Sequence, residues 1–135
     1  MMKGHARQLM TERVLALAPD TAITDVLRTF ATNGLSGAPV VDEDERVVGF
    51  VSETDLLGAL LRGDTGALSA GELMTHPAIV VDEFMQTDEV MILLHESRIH
   101  HLPVVRDGRL VGIITPRDIL RYFVVRVLPP PDRTA

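Results

Sequence analysis

The chain has 135 residues, of which 46% are hydrophobic, it contains no cysteine, and its formal net charge is −6 at pH 7. This hydrophobic content suffices for a packed core and excludes a disordered chain. The absence of cysteine excludes disulfides, thiolate metal sites and cysteine nucleophiles, and the acidic balance disfavours general binding to nucleic acid.

The amino terminus has no apolar run, so the sequence does not predict a signal peptide. No stretch reaches the ~20 apolar residues of a membrane span. We therefore expect a cytoplasmic protein without membrane contact.

The first half of the chain predicts a lead strand at 14–17, a helix, strands at 38–41 and 47–51, and a closing helix at 55–62. Thr21 is positioned to cap the first helix, and Gly34 to end it in the left-handed conformation. One face of this helix is apolar, with side chains at helical spacing: Ile23, Val26, Leu27, Phe30 and Ala31.

The second half predicts the same elements in the same order. They are a lead strand at 79–81, a helix at 87–97, strands at 102–105 and 110–114, and a helix at 116–126. A short connecting helix is expected at about 68–74. We divide the chain into repeat 1 at 8–62, a linker at 63–71, repeat 2 at 72–124 and a mobile tail at 125–135.

The repeat is visible in the sequence itself. With a shift of 64 positions, residues 9–11 and 39–41 fall on the identical residues 73–75 and 103–105. One extra residue in the acidic turn at 42–46 changes the shift to 63, and Asp55 then falls on Asp118. The fold class is therefore α/β (α+β), built of two β-α-β-β-α repeats that are expected to pack face to face.

Each closing helix begins with the same polar pattern. Thr115 is expected as an N-cap, Pro116 as the first helical residue and Asp118 as an acid in the first turn. Ser52 and Asp55 hold the corresponding places in repeat 1. A strand that leads into a helix N-terminus also suits phosphate, so a capping role and a ligand-binding role both remain open.

The second half also carries a basic region. Residues 98–126 contain six Arg against two Asp, with His100 and His101 added. This region is either a solvated face or a surface that meets an anionic ligand. Arg117 and Arg121 lie four apart on one helix face and could reach a phosphate.

Catalysis and metal binding find little support in the sequence. Adjacent histidines on a strand would point to opposite faces, and His95 is expected on the preceding helix, so no metal site is predicted. The chain shows no nucleophile–base–acid arrangement and no glycine-rich nucleotide fingerprint. We therefore expect a protein that is not an enzyme.

Four segments resemble the CBS domain, namely 36–42, 48–55, 98–105 and 110–118, and two tandem copies resemble a Bateman module of the stand-alone kind. The resemblance implies a non-catalytic regulatory module that needs no cofactor. It implies two clefts related by a pseudo-two-fold axis. It also implies binding of AMP, ADP or ATP, with S-adenosylmethionine as a further possibility.

The resemblance also assigns candidate binding residues. It places Asp55 and Asp118 on ribose hydroxyls, and Ser52 and Thr115 near ribose or phosphate. Residues 11–15 and 75–79 would border the base, among them Thr11, Val14, Thr75 and Ala78. His100 and His101 would hold phosphates, whereas repeat 1 has Ser36 and Gly37 at that position, which puts equal occupancy of the clefts in doubt.

These features leave three hypotheses open. The first is an adenine-nucleotide sensor that signals to an unidentified partner protein. The second is a scaffolding homodimer with vestigial clefts, and the third is nucleic-acid binding through the basic half, which the overall acidity disfavours. The closing helices carry much apolar surface, so we expect a homodimer that forms a CBS disc.

Overall fold

The computed structural model describes residues 3–63, 65–97 and 99–132. The first half contains α1 (Ala6–Leu9), α2 (Ile23–Asn33), β1 (Gly37–Val41), β2 (Val47–Ser52), α3 (Glu53–Arg62) and α4 (Ala70–Leu73). The second half contains β3 (Val81–Asp82), α5 (Thr87–Ser97), β4 (Leu102–Arg106), β5 (Arg109–Ile114) and α6 (Pro116–Arg126). The predicted order of helices and strands is confirmed, and α1 is an addition to it.

Two small sheets form the centre of the molecule. In repeat 1, β1 pairs with β2 in antiparallel register, and in repeat 2, β4 pairs with β5 in the same way. β3 adds a parallel partner to β4, so the second sheet has three strands. The turn between β4 and β5 holds Asp107 and Gly108 at positive φ, as a two-residue hairpin requires.

Both predicted lead strands are shorter than expected, and proline is the reason. Residues 14–17 keep only one bridge, between Leu17 and Val40, and β3 starts at Val81 instead of residue 79. Continuing either strand backwards would require an N–H from Pro39 or Pro103, which proline lacks. In repeat 1, Pro19 has no N–H to continue the pairing after Leu17. In repeat 2 the equivalent residue is Glu83, whose N–H donates to the Val105 carbonyl at 3.0 Å.

The helix ends follow the sequence with one exception. Gly34 ends α2 at φ 62°, as predicted. The prediction that Thr21 caps α2 is wrong, since Ala22 is the N-cap and the Thr21 hydroxyl accepts the Ala18 N–H at 3.2 Å instead. The connecting helix is also shorter than predicted, and α4 covers only Ala70–Leu73.

Each repeat has its own core, and the two short helices are exchanged. α1, at the start of the chain, packs into repeat 2, and α4, between the repeats, packs into repeat 1. Ala70 of α4 packs with Ile23, Val26 and Phe30 in the core of repeat 1. Ala6 and Leu9 of α1 pack into the core of repeat 2. Of the predicted apolar face of α2, Ala31 alone is exposed. The exchange places the segment before each repeat against the other repeat.

No described helix has both the length and the apolar character needed to cross a membrane. α6 continues through Arg126, so the first two residues of the expected tail are helical. Residues 133–135 of that tail, and Arg98 of the basic region, lie outside the described residues.

Candidate ligand-binding clefts

The two clefts arise because the segment before each repeat pairs with the closing strand of the other repeat. Thr75 exchanges two backbone hydrogen bonds with Phe50 of β2, at 2.8 and 3.0 Å. Thr11 does the same with Ile113 of β5, at 2.9 and 3.0 Å. The cleft at Asp55 therefore has walls from both repeats, and we call the equivalent position beside Asp118, where Thr11 approaches, the cleft at Asp118.

The cleft at Asp55 consists of two adjoining cavities of about 260 and 390 Å³. Both cavities are lined by Phe50, Ser52, Ile99 and His101. Asp55, Thr75 and Ala78 line the smaller cavity, and Ser36 and His100 line the larger one. Seven of the predicted binding residues thus lie around one cleft.

Asp55 has one carboxylate oxygen committed to the helix start. Its Oδ2 accepts the Ser52 backbone N–H at 2.9 Å, and Ser52 Oγ accepts the Asp55 N–H at 3.2 Å. This reciprocal pair is a capping box, so Ser52 caps α3 as predicted. Within the described part of the chain no group donates to Asp55 Oδ1, which leaves an acceptor on a residue that lines the smaller cavity.

His100 and His101 are arranged differently from the prediction. They precede β4 instead of lying on it, so strand alternation does not separate them, and both line the larger cavity. The His101 ring lies 5.2 Å from the Phe50 ring, and its Nε2 is 2.8 Å from Ser36 Oγ. Burial lowers the pKa of His101 and His100 lowers it further, against an opposing effect of Glu53.

Gly37 makes this close packing possible. A Cβ atom at position 37 would lie 2.6 Å from the Phe50 ring and 3.2 Å from His101 Cε1. Both distances are shorter than ordinary carbon contacts. The pair Ser36–Gly37 therefore accommodates His101 of the other repeat, a role that the resemblance did not indicate.

The cleft at Asp118 has a different polar network. Asp118 is only 4% exposed. Its Oδ1 accepts from Thr11 Oγ1 at 2.8 Å and forms an ion pair with Arg121 Nη2. Its Oδ2 accepts from the Thr115 N–H at 2.8 Å and from Thr115 Oγ1 at 3.1 Å. Thr115 is the N-cap of α6, as predicted, and forms a capping box with Asp118.

The remaining predicted residues lie away from these networks. Val14 lines a separate cavity of about 190 Å³ with Leu110 and Val111. Arg117 is exposed on α6. The sequence interpretation missed Phe50, Ile99 and the Asp118–Arg121 ion pair, although the three-residue spacing of that pair on a helix is a recognisable signal.

Metal coordination has no structural basis in the described part of the chain. Among residues 3–63, 65–97 and 99–132, no three His, Asp or Glu side chains come close enough to hold a metal ion.

Two apolar grooves lie next to the clefts on the helical surface. One, of about 670 Å³, runs between α5 and α6 and is lined by residues such as Leu94, Ile119 and Leu120. The other, of about 590 Å³, runs between α2 and α3, where Phe30, Leu56 and Leu57 hold the equivalent repeat positions. Leu57 and Leu120 are 58% and 68% exposed.

Comparison with known proteins agrees with this architecture. The family model described as CBS domain matches residues 6–62 and 70–125. The chain is 31% identical to CBSX2, crystallised in complex with AMP, with a TM-score of 0.82 over 90% of this chain and 97% of that one. It is 25% identical to the CBS domain pair of protein MJ0100, crystallised with 5-methylthioadenosine and S-adenosyl-L-methionine, with a TM-score of 0.80 over 93% and 99% of the chains.

Among curated sequences, the chain resembles inosine-5'-monophosphate dehydrogenase of Methanocaldococcus jannaschii. The two are 29% identical over 117 residues, which are 86% of this chain and 23% of the dehydrogenase. The chain spans less than half the length of the first curated relatives that it matches.

Proposed function

The chain belongs to the CBS domain family, with two copies of the domain in tandem, and we propose that it is a regulatory module that binds an adenosine-derived ligand at Asp55. The observation that carries this proposal is that no described residue donates to Oδ1 of Asp55, which lines a cleft with walls from both repeats. A carboxylate only accepts hydrogen bonds, so it suits the two hydroxyls of a ribose. The complexes of CBSX2 with AMP and of MJ0100 with S-adenosyl-L-methionine support an adenosine ligand.

The rest of the cleft suits the other parts of such a ligand. Ala78, Ile79 and Pro103 offer an apolar wall for a flat base. His100 and His101 line the adjoining cavity, where even a neutral imidazole can donate one ring N–H to phosphate. We propose AMP, ADP or ATP as ligand classes, with S-adenosylmethionine as an alternative.

Signalling would follow from the two-sided construction of the cleft. A ligand that contacts Asp55 of repeat 1 and His101 of repeat 2 stabilises one relative arrangement of the repeats. A partner protein that prefers this arrangement would then bind more tightly, because the two equilibria are linked. The inosine-5'-monophosphate dehydrogenase is an enzyme, but the match covers 23% of it, and we assign no catalysis to the present chain.

We further propose that two copies associate through the grooves between α2 and α3 and between α5 and α6. The repeat relates the two grooves, so a second copy can cover both at once in a symmetric dimer. The same observation supports the alternative function, a scaffolding homodimer whose clefts bind nothing.

Thermal unfolding with AMP, ADP, ATP and S-adenosylmethionine, and GTP as a base control, tests the function. A ligand at 100 times its Kd stabilises the fold by about 2.7 kcal/mol, which is several degrees in Tm. We expect this shift with an adenosine ligand, and its loss in Asp55→Ala. Asp25→Ala, an exposed acid in the first turn of α2, is the matched control.

Two results would contradict the proposal. The absence of any shift at millimolar ligand would leave the scaffolding dimer as the function. An equal shift with GTP would point to phosphate binding without recognition of adenine.

A further inference from the structure

We propose that Arg121 closes the cleft at Asp118, so that each chain takes a single adenosine ligand, in the cleft at Asp55. This inference rests on the proposed function and adds to it the number of ligands and the residue that sets that number. Asp55 and Asp118 hold equivalent positions in the two repeats, but their carboxylates have different hydrogen-bond partners.

The carboxylate of Asp118 is already saturated with donors. Thr11 and Arg121 donate to Oδ1, and the backbone and hydroxyl of Thr115 donate to Oδ2. A carboxylate offers about four acceptor positions, and four donors occupy them here. A ribose hydroxyl can reach Asp118 only by displacing one of these groups.

Among the described residues Asp55 lacks three of these four donors, since only the Ser52 N–H donates to it and the Ser52 hydroxyl accepts the Asp55 N–H instead. In the described part of the chain, the hydroxyl of Thr75, the repeat equivalent of Thr11, makes no hydrogen bond to Asp55. With the shift of 63, the equivalent of Arg121 is Gly58, which has no side chain to offer. Nothing among residues 3–63, 65–97 and 99–132 donates to its Oδ1, and Asp55 is more exposed than Asp118.

The exchange of Arg121 for a ribose hydroxyl is unfavourable. Arg121 and a ribose hydroxyl would both donate to the same ionised carboxylate, but only Arg121 also brings the opposite charge. Because Arg121 is part of the chain, it loses no translational freedom when it pairs with Asp118. A free ligand does lose translational freedom when it binds. Arg121 therefore acts as an internal competitor for Asp118.

Isothermal titration with AMP, and with S-adenosylmethionine in parallel, measures the number of sites. We expect one site in the wild-type chain, two in Arg121→Ala, and none in Asp55→Ala. The double variant Asp55→Ala/Arg121→Ala should recover one site, which can only be the cleft at Asp118. Arg28→Ala is the control, because it removes another i,i+3 Arg–Asp ion pair outside the clefts.

An arginine introduced beside Asp55 tests the same inference without any change at Asp118. Gly58→Arg places a guanidinium three residues after Asp55. A Cβ atom at position 58 would meet only the flexible end of Arg62, at 3.1 Å, so the substitution is compatible with the fold. We expect AMP affinity at Asp55 to fall at least tenfold, and Gly58→Ala to leave it unchanged.

The outcomes separate the inference from the proposed function. Two sites in the wild-type chain, or one site in a folded Arg121→Ala, overturn the inference and leave the function intact. Unchanged AMP affinity in Gly58→Arg also overturns it. No binding by the wild-type chain together with one site in Arg121→Ala overturns the proposed site at Asp55 and supports the role of Arg121. No binding by either chain overturns both.

Discussion

The side chains of Ser36 and His101 join the two repeats, with Ser36 Oγ 2.8 Å from His101 Nε2 across 65 residues of sequence. Ser36 precedes β1, and His101 precedes β4, so the contact links equivalent ends of the two sheets. The pKa of His101 is lowered chiefly by burial, and the ring is therefore neutral at pH 7. The contact between the repeats accordingly depends on the protonation state of one imidazole.

We predict that this chain loses stability as the pH falls from about 7 to 5. The pKa of an unfolded histidine is about 6.5, and that of folded His101 is lower. Between these two values the unfolded chain binds more protons than the folded one, so the free energy of unfolding rises with pH. Urea unfolding at several pH values measures this slope, which His101→Gln should reduce.

The control for this prediction is His76→Gln, at an exposed position in the segment before β3. It should keep the slope of the parent chain over the same pH range. A slope that is equal in His101→Gln and in the parent chain would contradict a role for His101 in the pH dependence.

Gly37→Ala should destabilise the fold by about 1–3 kcal/mol, the usual cost of overpacking. The new Cβ atom would lie 2.6 Å from the Phe50 ring, so either Phe50 or His101 must move. Chemical denaturation gives the free energy of unfolding. Gly66→Ala is the control, because no atom lies within 4 Å of a Cβ atom at that position; equal stability of the two variants would contradict the prediction.

Much of the fold could be predicted because local patterns and the repeat agree. The helix Thr87–Ser97, the hairpin at Asp107–Gly108 and the helix end at Gly34 all follow from spacing and turn residues. The lead strands could not be bounded in the same way, since their length depends on an N–H that Pro39 and Pro103 lack in the neighbouring strand. α1 was missed because four residues carry too short a pattern.

The candidate site was predictable in part. The repeat and the resemblance identify Ser52, Asp55 and the two histidines, and the structure gathers them around one cleft. They do not distinguish Asp55 from Asp118, because the difference depends on contacts between segments far apart in sequence. Thr11 reaches Asp118 across 107 residues, and no local pattern indicates this hydrogen bond.

Asp118→Ala should destabilise the chain more than Asp55→Ala. Removal of Asp55 costs a helix cap, about 1 kcal/mol. Removal of Asp118 costs the equivalent cap and also the acceptor of the Thr11 hydroxyl, which makes a hydrogen bond to a charged group, and we expect about 2–3 kcal/mol. The side chain of Arg121 is 60% exposed, so its ion pair adds little to this difference.

Urea unfolding of both variants without ligand provides the comparison. Asp25→Ala, which removes an exposed acid from α2, should change the free energy of unfolding by less than about 0.5 kcal/mol. Equal losses for Asp55→Ala and Asp118→Ala would show that the donors around Asp118 find other acceptors.

Leu120→Asp should convert the proposed dimer into a monomer. Leu120 is 68% exposed beside the groove between α5 and α6, where a second copy would bury it. A carboxylate at that position would have to be desolvated in the interface, which costs several kcal/mol without a partner charge. Leu57→Asp, at the equivalent position of α3, should have the same effect on sedimentation velocity.

The matched control is Val125→Asp, because Val125 is 70% exposed on α6 but does not line the groove. It should leave the sedimentation coefficient of the dimer unchanged. The two grooves hold equivalent positions in the two repeats. A dimer that buries both must therefore dissociate in Leu57→Asp and in Leu120→Asp. A dimer that responds to only one of them is joined through a single groove, and a wild-type monomer would contradict the proposed assembly.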